Sequence, residues 1–97
     1  MAEDRSHKTA ANRIAKKFGT RAQTEGPDIK TPKVTVEVET PGGMKEGIRQ
    51  LQGSRGPVYL AGTNQEAVQE ALEATKNTTV GVMDNQGKIL KESTRKK

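Results

Sequence analysis

The segment KVTVEVET, residues 33–40, constrains the fold more than any other stretch of this chain. Its valines alternate with a threonine and two glutamates, which is the period-2 pattern of a β-strand with one apolar and one polar face. The β-branched residues favour the same conformation. We therefore predict that the valine face of residues 34–38 is buried, and that Glu37 and Glu39 lie on the opposite, more exposed face.

The residues around this strand predict a sheet flanked by helices. Upstream, Ala10, Ile14 and Phe18 form the apolar stripe of a predicted helix that Ser6 caps and Gly19 ends. Thr31-Pro32 forms a turn that makes an antiparallel hairpin. Downstream, the apolar spacing predicts a helix from residue 44, a strand from 57, a helix from 63 and two strands from 78 and 88. Thr63 and Glu66 have the spacing of a capping box.

The predicted order is α-β-β-α-β-α-β-β, in the α/β (α+β) class. Strands joined through helices pair in parallel, whereas the first and last hairpins are antiparallel, so the sheet is small and mixed. We expect one domain over residues 1–97, with flexible ends at about 1–5 and 92–97. Only 30% of the residues are hydrophobic, so the core must be thin, and a homodimer would bury more of it.

Composition excludes several classes of function. The chain has no cysteine, which rules out zinc fingers and thiol nucleophiles. It has one Tyr and one Phe, Tyr59 and Phe18, too few for a base-stacking platform, and we expect both in the core. The glycine-bearing loops match neither a P-loop nor a dinucleotide fingerprint, so no nucleotide cofactor is expected. No apolar run has the length of a membrane span, and we expect a soluble, cytoplasmic protein.

Positive charge is concentrated at the two ends of the chain. Residues 1–24 hold six Lys or Arg and two acids (+4), residues 25–84 hold six and nine (−3), and residues 85–97 hold five and one (+4), which gives the net charge of +5. Basic ends suit a polyanion such as DNA, although charged termini can also be simply solvated. The candidate phosphate contacts are Lys8, Arg13, Lys16, Lys17 and Arg55.

Acidic residues gather on the first predicted hairpin. Counting outward from the turn places Asp28 opposite or nearly opposite Glu37, with Glu39 next on the same face, and like charges in such positions are destabilising. Glu25 is near enough in sequence to join them. The group could be solvated, neutralised by nearby lysines, or arranged to hold a divalent cation such as Mg²⁺, which takes hard oxygen ligands.

The chain carries a basic helix, then Pro27-Asp28, a turn, E-x-E on a valine-rich strand, and a further helix. This order of elements resembles the PD-(D/E)XK nucleases. This restriction-endonuclease-like superfamily has an αβββαβ core, and the resemblance, over roughly residues 7–84, is closest in layout to archaeal Holliday-junction resolvases. It implies that Asp28 and Glu37 hold Mg²⁺ or Mn²⁺ and that Asp28, Glu37 and Glu39 are catalytic. Glu39 stands where the family usually has Lys. Gln50 and Glu25 are additional candidates.

The leading hypothesis is therefore a Mg²⁺-dependent DNA endonuclease, or an inactive descendant of one. Two alternatives stay open: a non-catalytic nucleic-acid-binding module of the same fold, and an interaction domain whose acidic hairpin docks a basic protein. His7, the one histidine, is expected to be an exposed residue of the first helical turn rather than a ligand.

Overall fold

The computed structural model describes residues 5–23 and 27–95. Within them, helices and strands follow one another in the predicted order. The elements are α1 (Arg5–Lys17), β1 (Ile29–Lys30), β2 (Thr35–Glu39), α2 (Met44–Leu51), β3 (Val58–Gly62), α3 (Gln65–Ala74), β4 (Gly81–Met83) and β5 (Ile89–Lys91). None of the helices in the described ranges is both long enough and apolar enough to cross a bilayer.

The five strands form one mixed sheet in the order β1-β2-β3-β4-β5. The β1–β2 and β4–β5 pairs are antiparallel, and the β2–β3 and β3–β4 pairs are parallel, which confirms the predicted pattern. Ile29 lies opposite Val36 and Lys30 opposite Thr35. Continuing this register by one residue places Asp28 opposite Glu37, as the turn position predicted.

Helices cover both faces of the sheet. On one face, α1 packs its Ala10, Ile14 and neighbouring alanines against Ile29, Val36, Val38 and other strand residues. On the other face, α2 and α3 pack Met44, Leu51, Val68 and Ala71 against Val58, Leu60 and Val82. The molecule thus has three layers, with the sheet between one helix and a pair of helices.

Local capping decides where two of the helices begin and end. Gly19 has a φ of +71°, a left-handed conformation that glycine adopts at little cost, and it ends α1 as predicted. The N-cap of α3 is Asn64, whose side chain accepts a hydrogen bond from the backbone N of Ala67 at 2.8 Å. The prediction that Thr63 opens a capping box was therefore wrong by one residue.

The two faces of β2 differ from the prediction in one respect. Val36 and Val38 are fully buried, as the alternation predicted. Glu37, however, is only 7% exposed, and Thr35 beside it is also buried. The prediction of a more exposed glutamate face was wrong because α2 lies over that face, so that β2 is enclosed on both sides.

The C-terminal segment is attached to the body of the protein through residue 95, although the sequence suggested a flexible end from residue 92. The Ser93 hydroxyl accepts a hydrogen bond from the backbone N of Val58 at 3.1 Å. The Arg95 guanidinium donates to the carbonyl oxygens of Leu51 and Ser54 at 3.1 and 3.0 Å, at the end of α2. Residues 96–97 and 1–4 lie outside the described ranges.

Candidate functional site

Asp28 and Glu37 are joined where β1 meets β2. The backbone N of Asp28 donates to Glu37 Oε1 at 3.1 Å, and the backbone N of Val38 donates to Asp28 Oδ2 at 2.9 Å. Each carboxyl group thus accepts a hydrogen bond from a backbone N just beyond the last residue pair of the hairpin. This arrangement holds the two acids side by side across the hairpin, with Asp28 at the start of β1 and Glu37 on β2.

Burial and neighbouring charge change the acidity of the glutamates. Burial, the negative charge of Asp28 and a hydrogen bond with Glu39 together raise the pKa of Glu37 to about 9. Burial also raises the pKa of Glu39, while its hydrogen bond with Glu37 acts in the opposite direction. Glu37 is therefore the proton donor of the pair, and it is neutral near pH 7 when no cation is bound.

Two glycines of the α2 region make room for Glu39. A Cβ on Gly47 would lie 2.7 Å from Glu39 Cγ and 2.5 Å from Leu60 Cδ1, and a Cβ on Gly43 would collide with the Glu39 carboxylate. A larger residue at Gly47 would require Glu39, Leu60 or α2 itself to shift, whereas at Gly43 the Glu39 carboxylate would have to move. The short helix therefore packs directly onto the acidic face of the strand and shields it from water.

His7 completes the group from the opposite side of the hairpin. Its Nε2 lies 3.1 Å from Asp28 Oδ2, and the two side chains are 19% and 13% exposed. The expectation of an exposed first-turn histidine was therefore wrong. No local sequence signal identifies this contact, because it depends on the angle at which α1 crosses the sheet.

Of the two additional acidic-site candidates, Gln50 does not join the group. Glu25 lies outside the described residues. Gln50 is exposed on α2 and hydrogen-bonds to Glu46, which also pairs with Arg49 at 2.7 Å. Glu46 is close enough for its charge to raise the pKa of Glu39, so this part of α2 borders the site without entering it.

The candidate phosphate contacts divide into three groups. Lys8, Arg13 and Lys16 are exposed on α1. Lys17 is also exposed, but its Nζ donates to the carbonyl oxygen of Gly87 at 2.5 Å in the β4–β5 turn. Arg55 lies in the loop before β3, at the end of the sheet opposite to the one that carries Glu39. The α1 group shares its helix with His7, which contacts Asp28.

The donor set suits a hard divalent cation. Within residues 5–23 and 27–95, no group of three or more His, Cys, Asp or Glu side chains is arranged so that it could hold a metal ion. Mg²⁺, however, often takes one or two protein carboxylates and completes its shell with waters and substrate phosphate. Asp28 and Glu37 supply two such carboxylates, so the residues fit Mg²⁺ or Mn²⁺ once the proton on Glu37 is displaced.

Comparisons with known proteins found no match to this chain. No protein-family model, no curated protein and no solved structure matches it.

Proposed function

We propose that this protein is a metal-dependent DNA endonuclease of the PD-(D/E)XK type, with Asp28 and Glu37 as ligands of Mg²⁺ or Mn²⁺. The observation that carries the proposal is Glu37, a carboxyl group 7% exposed on an interior strand and placed against a second acid. Glu37 is buried beside another acid with its pKa raised, and ionising it there is costly unless a counter-charge is present. A divalent cation held by Asp28 and Glu37 would supply that charge.

The chemistry follows from these residue types. Bound at the two carboxylates, Mg²⁺ would stabilise negative charge on the phosphorus oxygens and lower the pKa of a bound water. Glu39 would act as a further ligand or orient the attacking water, since it already hydrogen-bonds to Glu37. His7 would hold the carboxylate of Asp28 in place through its Nε2 contact.

The element order supports the family assignment in part. A helix, a hairpin carrying Pro27-Asp28 and E-x-E, and a covering helix occur in the expected sequence. There are two departures: the described part of the chain has two strands before α2 instead of the family's three, and Glu39 replaces the usual Lys. The buried acidic pair therefore supports the proposal more strongly than the motif letters do.

A cleavage assay tests the proposal. The protein is incubated with linear, branched and single-stranded DNA in Mg²⁺, in Mn²⁺ and in EDTA. We expect phosphodiester cleavage of at least one substrate that depends on the divalent cation. Intact DNA in all conditions, with well-folded protein, would favour the non-catalytic alternatives.

The second candidate function, DNA binding without cleavage, is favoured by the exposed cations of α1. Arg13 and Lys16 lie three residues apart and are therefore neighbours on the helix surface. Lys8 adds a third cation one residue from His7. Lys and Arg in such an arrangement bind phosphates without reading bases.

We expect Arg13→Ala with Lys16→Ala to weaken DNA binding and to reduce the slope of log K against log salt by about 2, since each phosphate contact contributes about 0.9. The matched control is Lys45→Ala with Lys76→Ala, which removes the same charge from α2 and from the end of α3. Fluorescence anisotropy across a salt series gives both slopes. Equal slopes in the two double variants would remove α1 from the DNA interface.

The remaining alternative, an interaction domain whose acidic hairpin docks a basic protein, has less support. A basic partner would need to reach the carboxylates, but Glu37 is buried and the side chain of Asp28 is 13% exposed. A folded protein surface is too large to contact carboxylates that are covered to this extent.

A further inference from the structure

Lys30 lies on the edge strand β1, next to the acidic pair. Strand pairing places it opposite Thr35. The preceding pair, Ile29 and Val36, is buried on the face of the sheet that α1 covers. Because successive side chains of a strand point to opposite faces, Lys30 lies with Thr35 and Glu37 on the other face of the hairpin.

The separation of Lys30 from the buried glutamate suits a long side chain. Glu37 is two residues beyond Thr35 on β2, so it is the diagonal neighbour of Lys30. Diagonal neighbours on an antiparallel pair are about 7–8 Å apart, within reach of a long side chain. Lys30 is exposed, whereas Thr35 and Glu37 are buried. Its ammonium group therefore has access both to solvent and to the margin of the acidic site.

A cation at this margin has an electrostatic role. When ionised, Asp28, Glu37 and Glu39 carry three negative charges, of which one divalent cation offsets two. A DNA phosphodiester brings another negative charge, and more charge develops on its oxygens during attack. The acids would therefore repel the phosphate unless a further positive charge lies beside them.

The other cations around the site are less suited to this role. Those of α1 belong to a helix that packs on the face of the sheet opposite to Glu37. His7, also on α1, contacts the carboxylate of Asp28. Arg49 of α2 is already in an ion pair with a neighbouring glutamate. Lys30 is the cation that strand pairing itself places diagonal to Glu37.

From these observations we propose that Lys30 binds a non-bridging oxygen of the scissile phosphate and is a catalytic residue of this site. The inference rests on the proposed function. During hydrolysis a water oxygen forms a bond to phosphorus and releases a proton to solvent, while the bond from phosphorus to one ester oxygen breaks and that oxygen takes up a proton. Lys30 keeps its own proton throughout and stabilises the negative charge that accumulates on the non-bridging oxygens. The cations of α1 hold flanking phosphates.

Single-turnover cleavage rates test this role. Lys30→Met removes the charge and keeps an unbranched side chain. With protein in excess over a DNA that the wild type cleaves, the rate at saturation should fall about 100-fold, the loss that follows removal of one donor to a developing oxyanion. Lys30→Arg keeps the charge and should recover most of the rate.

The matched control is Lys33→Met. Lys33 is exposed in the turn of the same hairpin, and its replacement removes the same charge three residues away. This control should cleave at the rate of the wild type. A lysine that only protects an edge strand from pairing with another chain would instead give equal rates in Lys30→Met and Lys33→Met. Mg²⁺-induced NMR shifts at Asp28 should persist in Lys30→Met, because the metal site itself is unchanged.

The failures of the two proposals are distinguishable. A wild type that cleaves no DNA in Mg²⁺ or Mn²⁺ would overturn the proposed function together with this inference. A wild type that cleaves, with Lys30→Met at the rate of Lys33→Met, would overturn the role of Lys30 alone. Loss of the Asp28 shifts in Lys30→Met would also overturn that role, since the substitution would then act on the metal site rather than on the phosphate.

Discussion

Replacing Asp28 with Asn should reduce Mg²⁺-dependent DNA cleavage by more than about 100-fold. Removing a residue that only supports a metal ligand costs about 10–100-fold, and removing a ligand itself should cost more. The fold should be retained, because the amide oxygen of Asn can still accept the hydrogen bond that the backbone N of Val38 donates to Asp28 at 2.9 Å. Stability should be equal or slightly higher, since the charge that raises the pKa of Glu37 is gone.

The matched control for this variant is Asp84→Asn. Asp84 accepts hydrogen bonds from the backbone N atoms of Gln86 and Lys88 in the β4–β5 turn, so the change is chemically the same at a site away from the acidic pair. Cleavage rates of the two variants are compared after thermal melts have shown both to be folded. If Asp28→Asn cleaves at the rate of Asp84→Asn, Asp28 has no role in catalysis.

Replacing Glu37 with Gln should remove a pH dependence of stability that the wild type has in EDTA. The pKa of Glu37 is about 9 in the folded protein, against 4.5 ordinarily. Between these values the folded state keeps a proton that the unfolded state has lost, so the free energy of unfolding falls as pH rises. The contribution of Glu37 is complete below pH 4.5 and is lost once the pH passes about 9.

The variant mimics the protonated side chain. Gln can accept the hydrogen bond from the backbone N of Asp28 and can donate to Glu39, as neutral Glu37 does. We therefore expect equal stabilities near pH 4.5 and an advantage of about 1–2 kcal/mol for Glu37→Gln at pH 8–9, within the range of single substitutions. Urea unfolding across this pH range gives both curves.

The control for the pH series is Glu73→Gln. Its side chain is 73% exposed and pairs with Lys76, and exposed pairs contribute little to stability. Its pH profile should run parallel to that of the wild type. If the profile of Glu37→Gln also runs parallel to the wild type, Glu37 titrates normally and the buried acidic pair is not under electrostatic strain.

The hairpin was predictable from the sequence because its signals are local. The alternation in β2 and the turn at Thr31-Pro32 together determine the register, and the structure places Ile29 opposite Val36 accordingly. The parallel pairing of β2, β3 and β4 followed from the helices between them. The hairpin depends on residues within about ten positions of one another, and the parallel pairing depends on the order of consecutive strands and helices.

The environment of the acids was not predictable in the same way. An alternation of valine and glutamate is the same whether the polar face meets water or a helix, and only the packing of α2 over Glu37 and Glu39 decides between them. Gly43 and Gly47 are the one hint, since they leave the space that the Glu39 side chain occupies. The contact between His7 and Asp28 joins residues 21 positions apart and carries no local pattern.

The central claim, that the buried acids hold a divalent cation, is tested most directly by titrating Mg²⁺ into isotopically labelled protein and following backbone amide resonances. The account predicts saturable shifts centred on Asp28, Glu37 and Glu39, with the shifts at these positions lost in Asp28→Asn and kept in Asp84→Asn. Binding should also tighten as pH rises, because Mg²⁺ must displace the proton on Glu37. The account would be contradicted if these three resonances stayed unmoved at millimolar Mg²⁺, the range of weak carboxylate sites.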